Sequence, residues 1–185
     1  PQSRPPHIGI GLWRIYVTLH GVIARPGDDM RWIFDLAEPD EFVDEVVRTT
    51  GAVIMGRRTY EVEDRDRPGI YGGAWTGPFF VVTHEPPTDV PDWMTGTFVT
   101  DGVESALEQA EAAAGDKNVV LLGANLARQC FELDRLDEIL VQVTPILLGD
   151  GIRLFSRPDG QPIKLEKLAA GESGQITDIR YRVVK

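Results

Sequence analysis

Apolar positions in this chain follow two rhythms. Residues 52–56 (AVIMG), 78–84 (PFFVVTH), 97–100 (TFVT) and 118–123 (NVVLLG) are short, continuous and rich in Val, Ile and Phe. Runs of that length predict strands buried on both faces. Residues 12–24 (LWRIYVTLHGVIA) are also β-rich and end in the turn cluster RPGDD, the punctuation expected of a strand. Elsewhere the period is helical. Phe42, Val43, Val46 and Val47 recur at helix spacing after Asp40, with acidic residues suited to the positive end of a helix and Gly51 as a stop. Residues 103–115 predict an amphipathic helix, and residues 124–134 (ANLARQCFELD) another. Residues 63–77 read as a polar, glycine-rich loop. Residues 138–149 predict a strand broken at Pro145, and the tail from residue 162 predicts a hairpin of two alternating runs.

Buried strands alternating with helices predict a single α/β domain with a mixed, mostly parallel sheet and helices on both faces. Residues 1–11 are Pro-rich and predict a flexible lead, with the domain over residues 12–185.

Composition narrows the function. The 185 residues carry 29 Asp and Glu against 19 Lys and Arg, a formal charge of −10. That balance argues against nucleic-acid and anionic-membrane partners, which need a basic footprint. No apolar run reaches the roughly 18 residues of a membrane span. The first residues have neither the basic start nor the apolar segment of a secretory signal, so a cytoplasmic location is expected. Cys130 is the single cysteine; it has no disulfide partner and no metal-ligand spacing, and it reads as a core residue. No metal site is expected.

Parallel sheets bind ligands outside the carboxyl ends of their strands. Three such ends carry suggestive residues. Gly56-Arg57-Arg58-Thr59 offers backbone N–H groups, a hydroxyl and two guanidinium forks to a phosphate. Thr83-His84 offers a hydroxyl and an imidazole in the same row. Gly123-Ala124-Asn125-Leu126 is a glycine turn opening a helix. Taken singly, each also fits an ordinary strand-to-helix turn. Together they point to one extended, phosphate-rich ligand such as a dinucleotide. His20, Asp35 and Asp40 are the nearby acid–base candidates, and no Ser-His-Asp arrangement stands out.

The segments VIMGRRTYE, FFVVTHEPP and above all LDRLDEILVQVTPILLGDGIRLF resemble the dihydrofolate reductase superfamily, in its bacterial branch related to the reductase domain of riboflavin biosynthesis. The resemblance runs over nearly the whole chain from about Leu12. It implies a dihydrofolate reductase-like sheet of about eight strands and NADPH as cofactor. By that resemblance Gly56, Arg57, Arg58 and Thr59 meet the cofactor phosphates. Thr83 and His84 lie near the adenosine 2′-phosphate, and Gly123, Ala124, Asn125 and Leu126 lie on the pyrophosphate. The helix carboxylate that delivers a proton in dihydrofolate reductases falls at Asp40, with His20 as a second candidate. Thr18 and Asp35 are expected to line the pocket of a small-molecule substrate. Departures are visible: His20 stands where the family carries an acid, Asp44 where dihydrofolate reductases carry a stacking aromatic, and Asn125 where the family carries a glycine. The expectation is an NADPH-dependent reductase of a small heterocyclic or sugar-like substrate; the alternative is a ligand-binding member without turnover. The resemblance also implies a homodimer, with strands 139–148 and 176–184 as interface candidates.

Overall fold

The structure, a computed structural model, describes residues 9–33, 36, 38–66 and 68–185. Strand β1 (Gly11–Thr18) runs through the middle of the sheet and shows how the two faces arise. Side chains alternate along a strand. Trp13, Ile15 and Val17 enter one core, with residues of α3 (Val103–Ala114) and α4 (Ala124–Glu132). Leu12 enters the other, with Val46 of α1 (Glu41–Thr49) and Tyr60 of α2 (Arg57–Asp66). Ala52, Val53, Ile54 and Met55 of β3 (Thr50–Gly56) feed both cores and are fully buried. Burying an aliphatic side chain of this size contributes about 1.5–3 kcal/mol.

Eight strands form the sheet in the order β5-β4-β3-β6-β1-β7-β10-β9. The flanking strands are β4 (Phe79–Val82), β5 (Thr97–Val99), β6 (Asn118–Leu122), β7 (Glu138–Thr144), β9 (Leu165–Ser173) and β10 (Ile176–Val183). Every pair from β5 to β7 is parallel. The terminal hairpin adds β10 and β9 antiparallel. The chain passes from β1 to β3, runs outward to β5, and returns as β6 to fill the place between them. Parallel strands bring their carboxyl ends to one edge, with a turn at each. A two-stranded ribbon of β2 (Val22–Ala24) and β8 (Ile152–Arg153) lies apart from the main sheet.

The predicted fold class stands, with three differences. Residues 63–77 are not one loop: α2 continues to Asp66, and a 3-10 turn spans Ile70–Gly73. The charged sequence RRTYEVEDRD conceals the helix, because only Tyr60 of that segment is fully buried. The strand from residue 138 ends at Thr144, one residue before Pro145, which has no N–H for a ladder. The short β8 has too few residues to leave a periodic signal. Residues 1–8 of the predicted lead lie outside the described residues. Cys130 is buried in the core, and burial pushes its thiol up to about 12, far from a nucleophile's range.

Candidate functional site

The ends of β3, β4 and β6 open onto one cleft of about 1440 Å³. Gly56, Arg57, Arg58, Thr59, Thr83, His84, Gly123, Ala124, Asn125 and Leu126 all line it. The three turns singled out in the sequence therefore share one cavity, although residues 57 and 123 are far apart in the chain.

Arg57 ties two of these turns together. Its guanidinium donates to the carbonyl of Glu85 at 2.8 Å and to Thr83 Oγ1 at 3.5 Å, while Nε pairs with Glu61 one turn along α2 at 2.7 Å. Thr83 Oγ1 donates in turn to the Glu85 carbonyl. Arg58 and His84 are exposed beside this lattice. A cationic head held at the mouth of a cleft by a backbone carbonyl is placed to receive an anion.

The third turn depends on glycine. Gly123 has φ +117, a conformation that L side chains rarely adopt, and an added Cβ would come 3.1 Å from Thr59 Oγ1. Thr59 also donates to the Leu122 carbonyl at 3.5 Å. Helix α4 starts directly after Gly123, which offers its first turn no capping side chain. Gly102, which also lines the cleft, leaves α3 uncapped in the same way. Helix N-termini with unsatisfied N–H groups attract anions. The Asn125 side chain is turned along its own helix, accepting from Arg128 at 2.8 Å.

Another part of the wall is built from side chains. Asp40 caps α1: its Oδ1 accepts from the N–H groups of Phe42 and Val43 at 2.8 and 3.4 Å. Its Oδ2 accepts from Gln142 Nε2 at 2.9 Å. Gln142, on β7 and 0% exposed, gives its other N–H to Asp178 Oδ1 on β10 at 2.8 Å. The amide oxygen of Gln142 accepts from Arg14 Nε at 2.8 Å. Arg14 also donates to Tyr16 Oη at 2.9 Å and stacks over the Tyr71 ring, 4.8 Å from its centroid. Tyr71 holds left-handed backbone angles, φ 54 and ψ 40, which are uncommon for an aromatic residue. Arg14, Tyr16, Asp40 and Tyr71 line the cleft, with Gln142 and Asp178 behind them. Burial and the neighbouring Asp40 push the Asp178 carboxyl up to about 6, against the opposing pull of Gln142 and Arg14.

Two predicted site residues lie elsewhere. Thr18 is 1% exposed; its Oγ1 accepts from the Val22 N–H at 3.0 Å and meets His20 Nδ1 at 2.9 Å. Both residues build the β1–β2 turn, and neither lines the cleft. Asp35 lies outside the described residues. The sequence reading missed Arg14, Tyr16, Tyr71, Gln142 and Asp178. Three of them did leave a signal: Arg14 in LWRIYV, Gln142 in EILVQVT and Asp178 in ITDIRY interrupt otherwise apolar positions of strands. A charge or amide at a core position calls for a partner. Among the described residues no group of His, Cys, Asp and Glu could hold a metal ion, and no helix is long and apolar enough to cross a membrane.

Known proteins share this architecture. The chain is 27% identical over 168 residues to the uncharacterized protein YwjB of Bacillus subtilis, covering 90% of this chain and 94% of that one. It superposes on a provisionally assigned riboflavin biosynthesis protein from Shewanella sp. PV-4 with a TM-score of 0.76, at 20% identity over 95% of this chain and 99% of that one. It also superposes on a diaminohydroxyphosphoribosylaminopyrimidine deaminase/5-amino-6-(5-phosphoribosylamino)uracil reductase from Thermotoga maritima with a TM-score of 0.67, at 18% identity over 95% of this chain and 57% of that longer one. At these identities the structural likeness is one of fold, and that fold is dihydrofolate reductase-like. The model of the RibD C-terminal domain matches residues 11–176, nearly the whole chain, and the protein belongs to that family.

Proposed function

We propose that the chain is an NADPH-dependent reductase acting on a C=N or C=O group of a small heterocyclic or sugar-like molecule. One observation carries the reading: residues 56–59, 83–84 and 123–126 converge on a single cleft that Asp40 also lines. The residues fit a dinucleotide phosphate. Helix α4 offers uncapped N–H groups behind Gly123, and the Cβ position of Gly56 meets nothing within 4 Å, so the backbone can be approached closely. Bound there, NADPH would supply the hydride. The chain's own residues would do the remaining work. Arg57 and Arg58 would hold the phosphate that distinguishes NADPH from NADH. Tyr71 and Arg14 would present a flat, cationic wall to the acceptor. Asp40 would orient the acceptor group and stand nearest to the proton it needs. The reading includes a homodimer and a cytoplasmic location; the apolar Leu165 and Leu168, exposed on edge strand β9, support the dimer.

Titration of the intrinsic tryptophan fluorescence with NADPH, and in parallel with NADH, tests the reading. Micromolar NADPH affinity with NADH at least about tenfold weaker is expected. Absence of binding by either nucleotide overturns it. A screen of C=N and C=O acceptors, including 5-amino-6-(5-phosphoribosylamino)uracil, then follows the loss of reduced-nicotinamide absorbance. NADPH binding with no acceptor turned over would leave a binding protein. Light scattering at micromolar concentration tests the dimer, and a mass of one 20.5 kDa chain excludes it.

A further inference from the structure

Gln142 has one amide and three polar clients, and the chemistry of the clients fixes its orientation. Arg14 can only donate, so the amide oxygen faces it; the two N–H groups are then both spent on carboxyls, Asp40 Oδ2 and Asp178 Oδ1. Asp40 and Asp178 are thereby held side by side on one nitrogen, no farther apart than two hydrogen bonds end to end. Asp178 is 0% exposed, and among the described residues no donor faces its buried Oδ2. A buried carboxylate oxygen without a donor is costly, and two adjacent carboxylates do not both ionise readily. One proton between them removes both penalties. With it, the cluster of Arg14 and the two acids is neutral.

The other charged and titratable groups near the pair come from every element packed around it. Arg14 and Tyr16 face it from β1, and Tyr71 covers Arg14. Arg180, two residues along β10, is occupied by Glu138 of β7 and Glu45 of α1 at 2.6 and 3.0 Å. The β9 partner of Asp178 is Gly171, which has no side chain. Nothing in this set supplies a second cation to the pair.

We propose that Asp178 is a positioning residue of the cleft: clamped with Asp40 by Gln142, it forms a buried acid pair that holds one shared proton behind the cleft wall, for delivery through Asp40 to the group being reduced. The proposal rests on the reductase reading above. The proton would pass from the pair to the nitrogen or oxygen of the acceptor; bound NADPH would supply the hydride for its carbon. The pair is left doubly ionised and recovers its proton from water at the cleft mouth. The upward displacement of the Asp178 carboxyl agrees with this arrangement.

The test is a pH titration of the intact protein labelled with ¹³C at the aspartate carboxyls. Resonances are assigned with Asp178→Asn and Asp40→Asn. In the wild type, the Asp178 step near 6 is expected to be seen by the carboxyl carbons of both residues. In Asp178→Asn, whose amide keeps the shape and can still accept from Gln142, that step should vanish from the Asp40 carbon. A step confined to the Asp178 carbon, with Asp40 blind to it, overturns the proposal, and so does a step at Asp40 that survives Asp178→Asn. The wild-type titration decides the matter even if the variant does not fold. NADPH titrations of the same samples separate the two readings. Binding without a common step defeats the acid pair alone, whereas a common step without binding defeats the reductase reading and delivery with it, leaving only a shared-proton pair.

Discussion

The two parts of the cleft wall achieve polarity by different means. At the ends of β3, β4 and β6 the polar groups are largely backbone: the uncapped starts of α3 and α4, and carbonyls that fix Arg57 and Thr59. Arg58, His84 and Asn125 stand exposed around them. Beside β1, β7 and β10 the polar groups are side chains, buried and joined to one another through Gln142. An exposed, backbone-built site tolerates the loss of any one side chain, because water replaces it. A buried network does not, because each partner left behind is an orphan in a low-dielectric interior. On the proposed reductase reading, binding energy is concentrated at the first region, and stability and proton control at the second.

The hardest blow to that contrast is Gln142→Leu. It strands Arg14, Asp40 and Asp178 together, and a loss of about 3–5 kcal/mol in urea unfolding is expected at neutral pH. A loss below about 1 kcal/mol would mean that the cluster is wetter than its burial implies.

Asp178→Asn probes the same region more gently. The folded protein holds the Asp178 proton up to about 6, whereas the ordinary carboxyl releases it near 3.8. Between those values the folded state binds more protons than the unfolded one, so this group's contribution to stability declines as pH rises. The deficit is complete above about 6. The asparagine variant lacks that slope and should be more stable than the wild type at neutral pH, by of order 1–3 kcal/mol, with no advantage below about pH 4. Thermal unfolding across that range would show it, and parallel stability curves for the two proteins would refute it.

Arg57→Ala addresses the other region. NADPH affinity is expected to fall about tenfold or more, the worth of one charged hydrogen bond. Stability should change by less than about 1 kcal/mol, because the Arg57–Glu61 pair is partly exposed. Unchanged affinity would remove Arg57 from the cofactor site. The smallest effect is expected at His20, outside the cleft. His20→Ala should leave NADPH affinity within about twofold and stability within about 0.5 kcal/mol, and a larger change in affinity would place the β1–β2 turn back in the site.

The legibility of the two regions in the sequence differs for the same reason as their energetics. Two of the turns at the sheet's open edge are contiguous strand–glycine–helix segments, so Gly56-Arg57-Arg58-Thr59 and Gly123-Ala124-Asn125-Leu126 stand out from local pattern alone. The acid pair is assembled from α1, β7 and β10. Gln142 meets Arg14 across 128 residues of chain and Asp40 across 102. Asp40 itself was legible, but as an acid at the start of a helix and as a family position, not as half of a pair. His20 is the converse case. Its place after a strand suggested chemistry, and the structure sets it in the β1–β2 turn against Thr18, outside the lining of the cleft.

Local order in the sequence therefore determined the alternation of strands and helices, the sheet that follows from it, and the turns at its open edge. Hydrophobic period and glycine placement act over a few residues, and parallel strands bring their carboxyl ends to one side whatever the details of packing. Only the tertiary structure decided which polar residues meet beneath α1. Strand order, not spacing along the chain, sets Arg14, Gln142 and Asp178 on adjacent strands β1, β7 and β10, and burial then joins three polar residues, each a lone interruption of its strand, into one network.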